Sequence, residues 1–167
     1  YNEELVGDQA TVYRSVTARF LYLSQDRPDI QYAVRECSKK MAVPTQRDMN
    51  DLKRIARYLI GRPVCKVKFQ WGGKMDKIEV QTDSDWAGDR ASRKSVSGGV
   101  LRLGPYIVKH WSKDQGNVAK SSGEAELYAA NHGQSLLSDM RYKVQVHILV
   151  DSNAPVGIIG RIGLGKV

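Results

Sequence analysis

Apolar residues recur with a helical period through the first third of the chain and with a period of two through most of the rest. Val12, Val16, Phe20 and Leu23 are spaced by four, four and three, which predicts one face of a helix. Asp26-Arg27-Pro28 interrupts it, and Pro28 is placed to be the first residue of a second helix carrying Ile30, Ala33, Val34, Cys37 and Met41 along one side. Pro44-Thr45 restarts the chain with Thr45 as a cap, and Leu52, Ile55, Ala56 and Leu59 form a third stripe closed by Gly61 and Pro63. Beyond Pro63 the period changes. Cys65, Val67, Phe69 and Trp71 alternate with Val64, Lys66, Lys68 and Gln70, which predicts a strand ending at Gly72-Gly73. A second run through Ile78 and Val80 leads into Asp83. Ser95–Leu103 and Tyr106–Ser112 read as a hairpin turning at Gly104-Pro105. Ser121 and Glu124 have capping-box spacing before a helical stretch, Ala125–Met140. Val144–Val150 then reads as a short strand ending at Asp151, and Ser152–Ile159 as a short helix. Strands in series followed by helix, strand and helix predict an α/β domain with a mixed sheet flanked by helices, behind a three-helix segment. The expected boundary divides residues 1–64 from residues 65–167.

A length of 167 residues suits one domain with a helical appendage and is enough to bury a core. Charge narrows the range of partners. The net charge is +8, and residues 1–70 hold 13 basic and 8 acidic side chains against 13 and 10 in residues 71–167, so the excess is no basic tail. Such a balance favours a polyanion, of which nucleic acid is the commonest. Cys37 and Cys65 are too few for a disulfide framework and form no Cys-x-x-Cys pair. Both are expected to be buried reduced thiols, which suits a cytoplasmic or nuclear compartment. The first residues have neither the basic start nor the apolar core of a signal peptide, and no apolar run approaches the ~18 residues of a membrane span. An opening without methionine and a stop at Gly163–Val167 read as a fragment of a longer chain.

Acids cluster in VQTDSDWAGD, residues 80–89. The spacing Asp83-x-Asp85-x-x-Gly88 invites comparison with a calcium loop, but Ala87 and Lys94 stand where that loop needs oxygen ligands. Acids from separate segments make a better set. Asp83 lies at or near the end of a strand, Asp151 directly follows another, and Glu124 and Glu126 lie in the first turn of a helix. With the strands adjacent and the helix over the sheet, three carboxylates would converge at one edge and suit Mg²⁺, which prefers hard oxygen ligands and retained waters. For any single acid, a helix cap or solvated turn is the simpler role.

The stretches VQTDSDWAGDRASRKSVSGGVLRLG, VKHWSKDQGNVAKSSGEAELYAA and ILVDSNA together resemble the ribonuclease H domain of copia-type retrotransposon polyproteins. The family pattern runs S-D-A-D-W-A-G-D, R-K-S-T-S-G, W-S-S-K-K-Q, S-S-T-E-A-E-Y, then D-N at a later strand end. YRSVTARFLYLSQDRPDIQYAV and LKRIARYLIGRP are similar to the family's segment joining reverse transcriptase to ribonuclease H, so the resemblance runs from about Tyr13 to Asp151 and beyond.

The resemblance implies a ribonuclease H-like fold, truncated at the C-terminus, and metal-dependent hydrolysis of the RNA strand of an RNA–DNA hybrid. Asp83, Glu126 and Asp151 match the catalytic carboxylates and would hold two Mg²⁺ or Mn²⁺ ions. Glu124 is assigned to capping, Asp85 and Asp89 to turn or supporting roles, and Trp86 to packing on the sheet. Arg90, Arg93, Lys94, Lys113 and Lys120 are the candidates for holding nucleic-acid phosphates. Implied partners are an RNA–DNA hybrid or other nucleic acid and the reverse-transcriptase part of a parent polyprotein. Three features depart from the pattern. The family's fourth carboxylate lies in a later helix that this sequence does not reach, Lys120 replaces a core leucine, and Gly123 replaces threonine. The polymerase Tyr-x-Asp-Asp motif is missing as well. The competing expectation is a catalytically dead transposon remnant serving as a structural or RNA-binding subunit of a larger assembly. GRIGLGK, residues 160–166, has phosphate-loop spacing but ends on Val167 in place of serine or threonine, so it is read as a chance match. His110, His132 and His147 lack metal-ligand spacing and are assigned ordinary surface or core roles.

Overall fold

The computed structural model describes residues 3–69, 71–72, 76–89, 92–138 and 145–151. Its elements run α1 (Gly7–Leu23), α2 (Pro28–Ser38), α3 (Gln46–Gly61), β1 (Lys77–Asp85), β2 (Val96–Leu103), β3 (Tyr106–Asp114), α4 (Ser122–Ser138) and β4 (Gln145–Val150). The chain divides into two compact units, Tyr1–Lys68 and Phe69–Val167.

The first unit is a three-helix cluster. Leu5, Ala10, Tyr13, Ile30, Val34, Cys37, Leu52 and Ile55 form its core, and Val16, Phe20, Met41, Met49 and Leu59 pack against it. Local chemistry sets the helix ends. Pro28 opens α2, where its missing N–H costs nothing. Thr45 caps α3 in a reciprocal box with Asp48, its side chain accepting from the Asp48 N–H while the Asp48 carboxylate accepts from the Thr45 N–H. The buried face of α1 differs from the expected stripe. Ala10, Tyr13 and Thr17 are buried, whereas Val12 and Leu23 are exposed. Tyr13 decides this by donating its hydroxyl to the Cys37 carbonyl at 2.7 Å, which turns the helix toward α2. Ala33 of α2 is exposed too, while Arg35 is buried and lies over the Tyr32 ring.

The second unit is an α/β layer whose mixed sheet has the order β3-β2-β1-β4. β1 pairs antiparallel with β2 and parallel with β4, and β2–β3 is the expected hairpin. Strand alternation puts Ile78, Val80 and Thr82 on the face covered by α4. Ile78, Val80, Leu101 and Trp111 form the core, flanked by Leu103, Leu136 and Leu137. Small residues bring α4 close: Ala125, Ala129 and Ala130 are buried, and a Cβ on Gly133 would stand 2.6 Å from Val80 Cγ1. This arrangement agrees with the ribonuclease H-like α/β class expected from the sequence.

Two expectations are corrected. Residues 64–69 alternate as a strand should, yet they form none, and Val64, Cys65, Val67 and Phe69 are exposed. Alternation creates an apolar face, but a strand also needs a neighbour to satisfy its backbone, and among the described residues no strand of the sheet pairs with these. Cys65 is therefore an exposed thiol, and only Cys37 is buried. The helix expected over Ser152–Ile159 and the GRIGLGK stretch lie outside the described residues.

Candidate active site

The parallel register between β1 and β4 sets the geometry. Lys77 pairs with Gln145 and the pairing runs in step to Thr82 with Val150. Continued by one residue, the same register sets Asp83 beside Asp151 at one end of two adjacent strands. Both are exposed. The Asp83 carboxylate accepts the Ser84 N–H at 2.8 Å through Oδ1.

The start of α4 lies at this same end of the sheet. The Trp86 indole N–H, just past β1, donates to the Ala119 carbonyl at 3.1 Å. Gln115, just past β3, donates its amide to Ser97 Oγ at 2.9 Å and to the Ala125 carbonyl at 2.7 Å. Ser97 in turn pairs with Ser84, next to Asp83. Glu126 is half-buried in the first turns of α4, one turn before buried Ala130. Thr82 is buried beneath α4 and Asp83, the next residue, is exposed on the opposite face. Among the described residues, no three His, Cys, Asp or Glu side chains are grouped closely enough to hold a metal ion. In kind, three carboxylates suit a hard divalent cation; in place, the β1–β4 register leads Asp83 toward Asp151, and Glu126 comes from the neighbouring element.

The surrounding acids have structural partners. Glu124 accepts the Lys120 N–H at 2.7 Å and the Tyr128 hydroxyl at 3.0 Å, while its own N–H donates to Ser121 Oγ. Those bonds, led by the Lys120 N–H, hold its carboxyl below the ordinary pKa. The capping role expected for Glu124 is thus present, although it reaches the N–H before Ser121. Asp89 accepts from the N–H and hydroxyl of Ser92, and Arg93 N–H donates to the Asp89 carbonyl. The Asp85 carboxylate covers Gly88 so closely that a Cβ there would stand 2.0 Å from Oδ2. Ala87 and Arg93 adopt φ of 53° and 57°, left-handed values that are uncommon without glycine, and the Ala87 N–H is held by Ser95 Oγ. Trp86 is half-exposed and anchored by its N–H, where close packing on the sheet was expected.

Four of the five basic candidates lie near this end; Arg90 is outside the described residues. Arg93 and Lys94 sit in the loop between β1 and β2, Lys113 is near the end of β3 opposite Ser97, and exposed Lys120 precedes α4. Sequence reasoning missed Gln115, which ties β2 to α4. A polar residue followed by glycine after a strand reads as a loop, and nothing local shows that it will be buried.

No family model matches the chain. No solved structure matches it. Among curated proteins, the retrovirus-related Pol polyprotein from transposon RE1 of Arabidopsis thaliana is 39% identical over 116 residues, covering 70% of this chain and 8% of that protein. The corresponding polyprotein from transposon RE2 is 38% identical over 127 residues, covering 76% and 9%. The chain therefore spans about a tenth of the length of these polyproteins. The secreted RxLR effector protein 161 of Plasmopara viticola is 36% identical over 118 residues, covering 70% of this chain and 82% of that protein. Most of this chain is thus homologous to a short region of the retrovirus-related Pol polyproteins of plant transposons, and its similarity to the Plasmopara protein runs over most of that protein.

Proposed function

We propose that the second unit is the ribonuclease H part of a retrotransposon polyprotein, which hydrolyses the RNA strand of RNA–DNA hybrids, and that the helical unit is its connection to reverse transcriptase. The observation that supports this reading is the parallel β1–β4 register from Lys77–Gln145 to Thr82–Val150, which, continued by one residue, would bring Asp83 to Asp151. Asp83, Glu126 and Asp151 would hold Mg²⁺ or Mn²⁺. Two such ions, when bound, activate a water for in-line attack and stabilise the leaving oxygen. The chain's own residues supply the rest: Arg93, Lys94, Lys113 and Lys120 hold phosphates, and the hybrid is recognised by its minor groove and 2′-hydroxyls. No side chain acts as nucleophile.

A second reading has its own support. The Plasmopara relative carries the shared region over 82% of its length, so this region also occurs apart from a long polyprotein. In that reading the chain is a catalytically silent remnant that serves as a structural or RNA-binding subunit of an assembly.

One experiment separates the two. Carboxylates gathered at one sheet end repel one another, and a cation that binds only the folded state stabilises it. The chain should melt at higher temperature in millimolar Mg²⁺ or Mn²⁺, Asp83→Asn should abolish the gain, and RNA–DNA hybrid should be cleaved weakly. Melting curves that coincide with cation and with chelator, together with an intact hybrid in Mn²⁺, would establish the silent reading.

A further inference from the structure

A cavity of about 190 Å³ opens beside α4, lined by Ser97, Lys113, Gln115, Asn117, Tyr128 and His132 among others. None of the catalytic carboxylates proposed above lines it. It lies near the same end of the sheet, since Ser97 pairs with both Ser84 and Lys113. We infer that this cavity receives one unpaired nucleobase of a bound strand, with Lys113 at its rim holding the adjoining phosphate. This rests on the nucleic-acid reading above and adds a subsite to it.

Size, walls and polar groups each favour a base. A space of about 190 Å³ is enough for one planar heterocycle and too little for a base pair. Tyr128 and His132 contribute aromatic walls, the surface on which unstacked bases pack. His132 is fixed edge-on to Trp111 at 5.8 Å, so its ring is already ordered before a ligand arrives. Burial, with Lys113 and Lys109 nearby, lowers the His132 pKa, which keeps the ring uncharged at neutral pH. For an edge, the cavity offers the exposed Asn117, whose amide both donates and accepts and is already positioned by a side-chain bond with Tyr128. Gln115 lines the cavity with its amide N–H groups held by Ser97 and Ala125, which fixes that wall. A bare anion fits less well, because Asp114 also lines the cavity beside Lys113.

The test compares a short single-stranded oligoribonucleotide with an abasic strand of equal length by fluorescence anisotropy, in chelator so that no hydrolysis intervenes. The base-bearing strand should bind about tenfold more tightly, the scale of one base–aromatic stack. Asn117→Ala and Tyr128→Leu should each close most of that gap, while Lys113→Ala should weaken both strands alike. Each variant is first shown to melt cooperatively, and Asn117, being exposed, tolerates the change. Equal affinity for the two strands, or a gap that Asn117→Ala and Tyr128→Leu leave intact, overturns the proposal. Hybrid cleavage is measured separately on the same protein. A chain that prefers the base-bearing strand but never cleaves keeps this subsite and loses the catalytic reading; one that cleaves without the preference does the reverse.

Discussion

Asp29 shows how a single ion pair joins two helices. Its carboxylate accepts two bonds from Arg27, at 2.9 and 2.7 Å, and one from the Tyr58 hydroxyl at 2.8 Å. The Arg27 guanidinium is buried and also donates to the Arg62 carbonyl at 2.9 Å, so the start of α2 is tied to the end of α3. Those bonds, Arg27 first, lower the Asp29 pKa from 3.8 to about 2. The folded value lies below the unfolded one, so the stabilisation is present above about pH 4 and fades as the pH falls toward 2. Wild-type stability in acid should therefore fall more steeply over that window than that of Asp29→Asn, followed by urea denaturation at a series of pH values. Parallel profiles would show that the pair does not couple folding to protonation. The two thiols illustrate the opposite influence of environment. Burial pushes Cys37 up to about 11, whereas Cys65 is exposed and open to reagents.

At the scale of elements, α4 and β1 depend on the absence of a side chain. A Cβ on Gly133 would meet Val80 Cγ1 at 2.6 Å and Thr82 Cγ2 at 3.0 Å. Both neighbours are β-branched and buried, so neither can rotate away cheaply. Overpacking of this kind costs about 1–3 kcal/mol, while alanine gains about 1 kcal/mol over glycine as a helix former. Contact should win. Gly133→Ala is expected to lower stability by up to about 2 kcal/mol in chemical denaturation, and a variant more stable than wild type would show that α4 packs less closely. The same logic applies to Gly99, where a Cβ would stand 2.1 Å from the Trp111 ring. By contrast α3 is secured locally, since the Thr45–Asp48 box satisfies two donors that would otherwise lack intrahelical partners.

For the molecule as a whole, each unit has its own core. Tyr13, Val34 and Leu52 anchor the helical unit, and Val80, Leu101 and Trp111 anchor the sheet. A unit with a separate core has the means to fold separately. Residues 1–68 produced alone should show helical circular dichroism and a cooperative thermal transition. A broad, featureless melt of that fragment would mean that its helices need the rest of the chain.

The sequence by itself determined what depends on near neighbours. Pro28 opening α2, Thr45 capping α3, the turn at Gly104-Pro105 and the change from helical to twofold period were all legible, because caps, turns and amphipathic stripes act over a few residues. Asp83, Glu126 and Asp151 could be singled out by motif, and Asp83 and Asp151 could be placed at strand ends. Only the tertiary structure decided which strands are neighbours, and hence that the register leads Asp83 toward Asp151. It also decided that Thr82 is buried beneath α4, that residues 64–69 stay unpaired, and that Val12 yields the core of α1 to Tyr13. Those outcomes turn on contacts between residues far apart in the chain, such as Tyr13 with Cys37 and Gln115 with Ser97, and no local period encodes them.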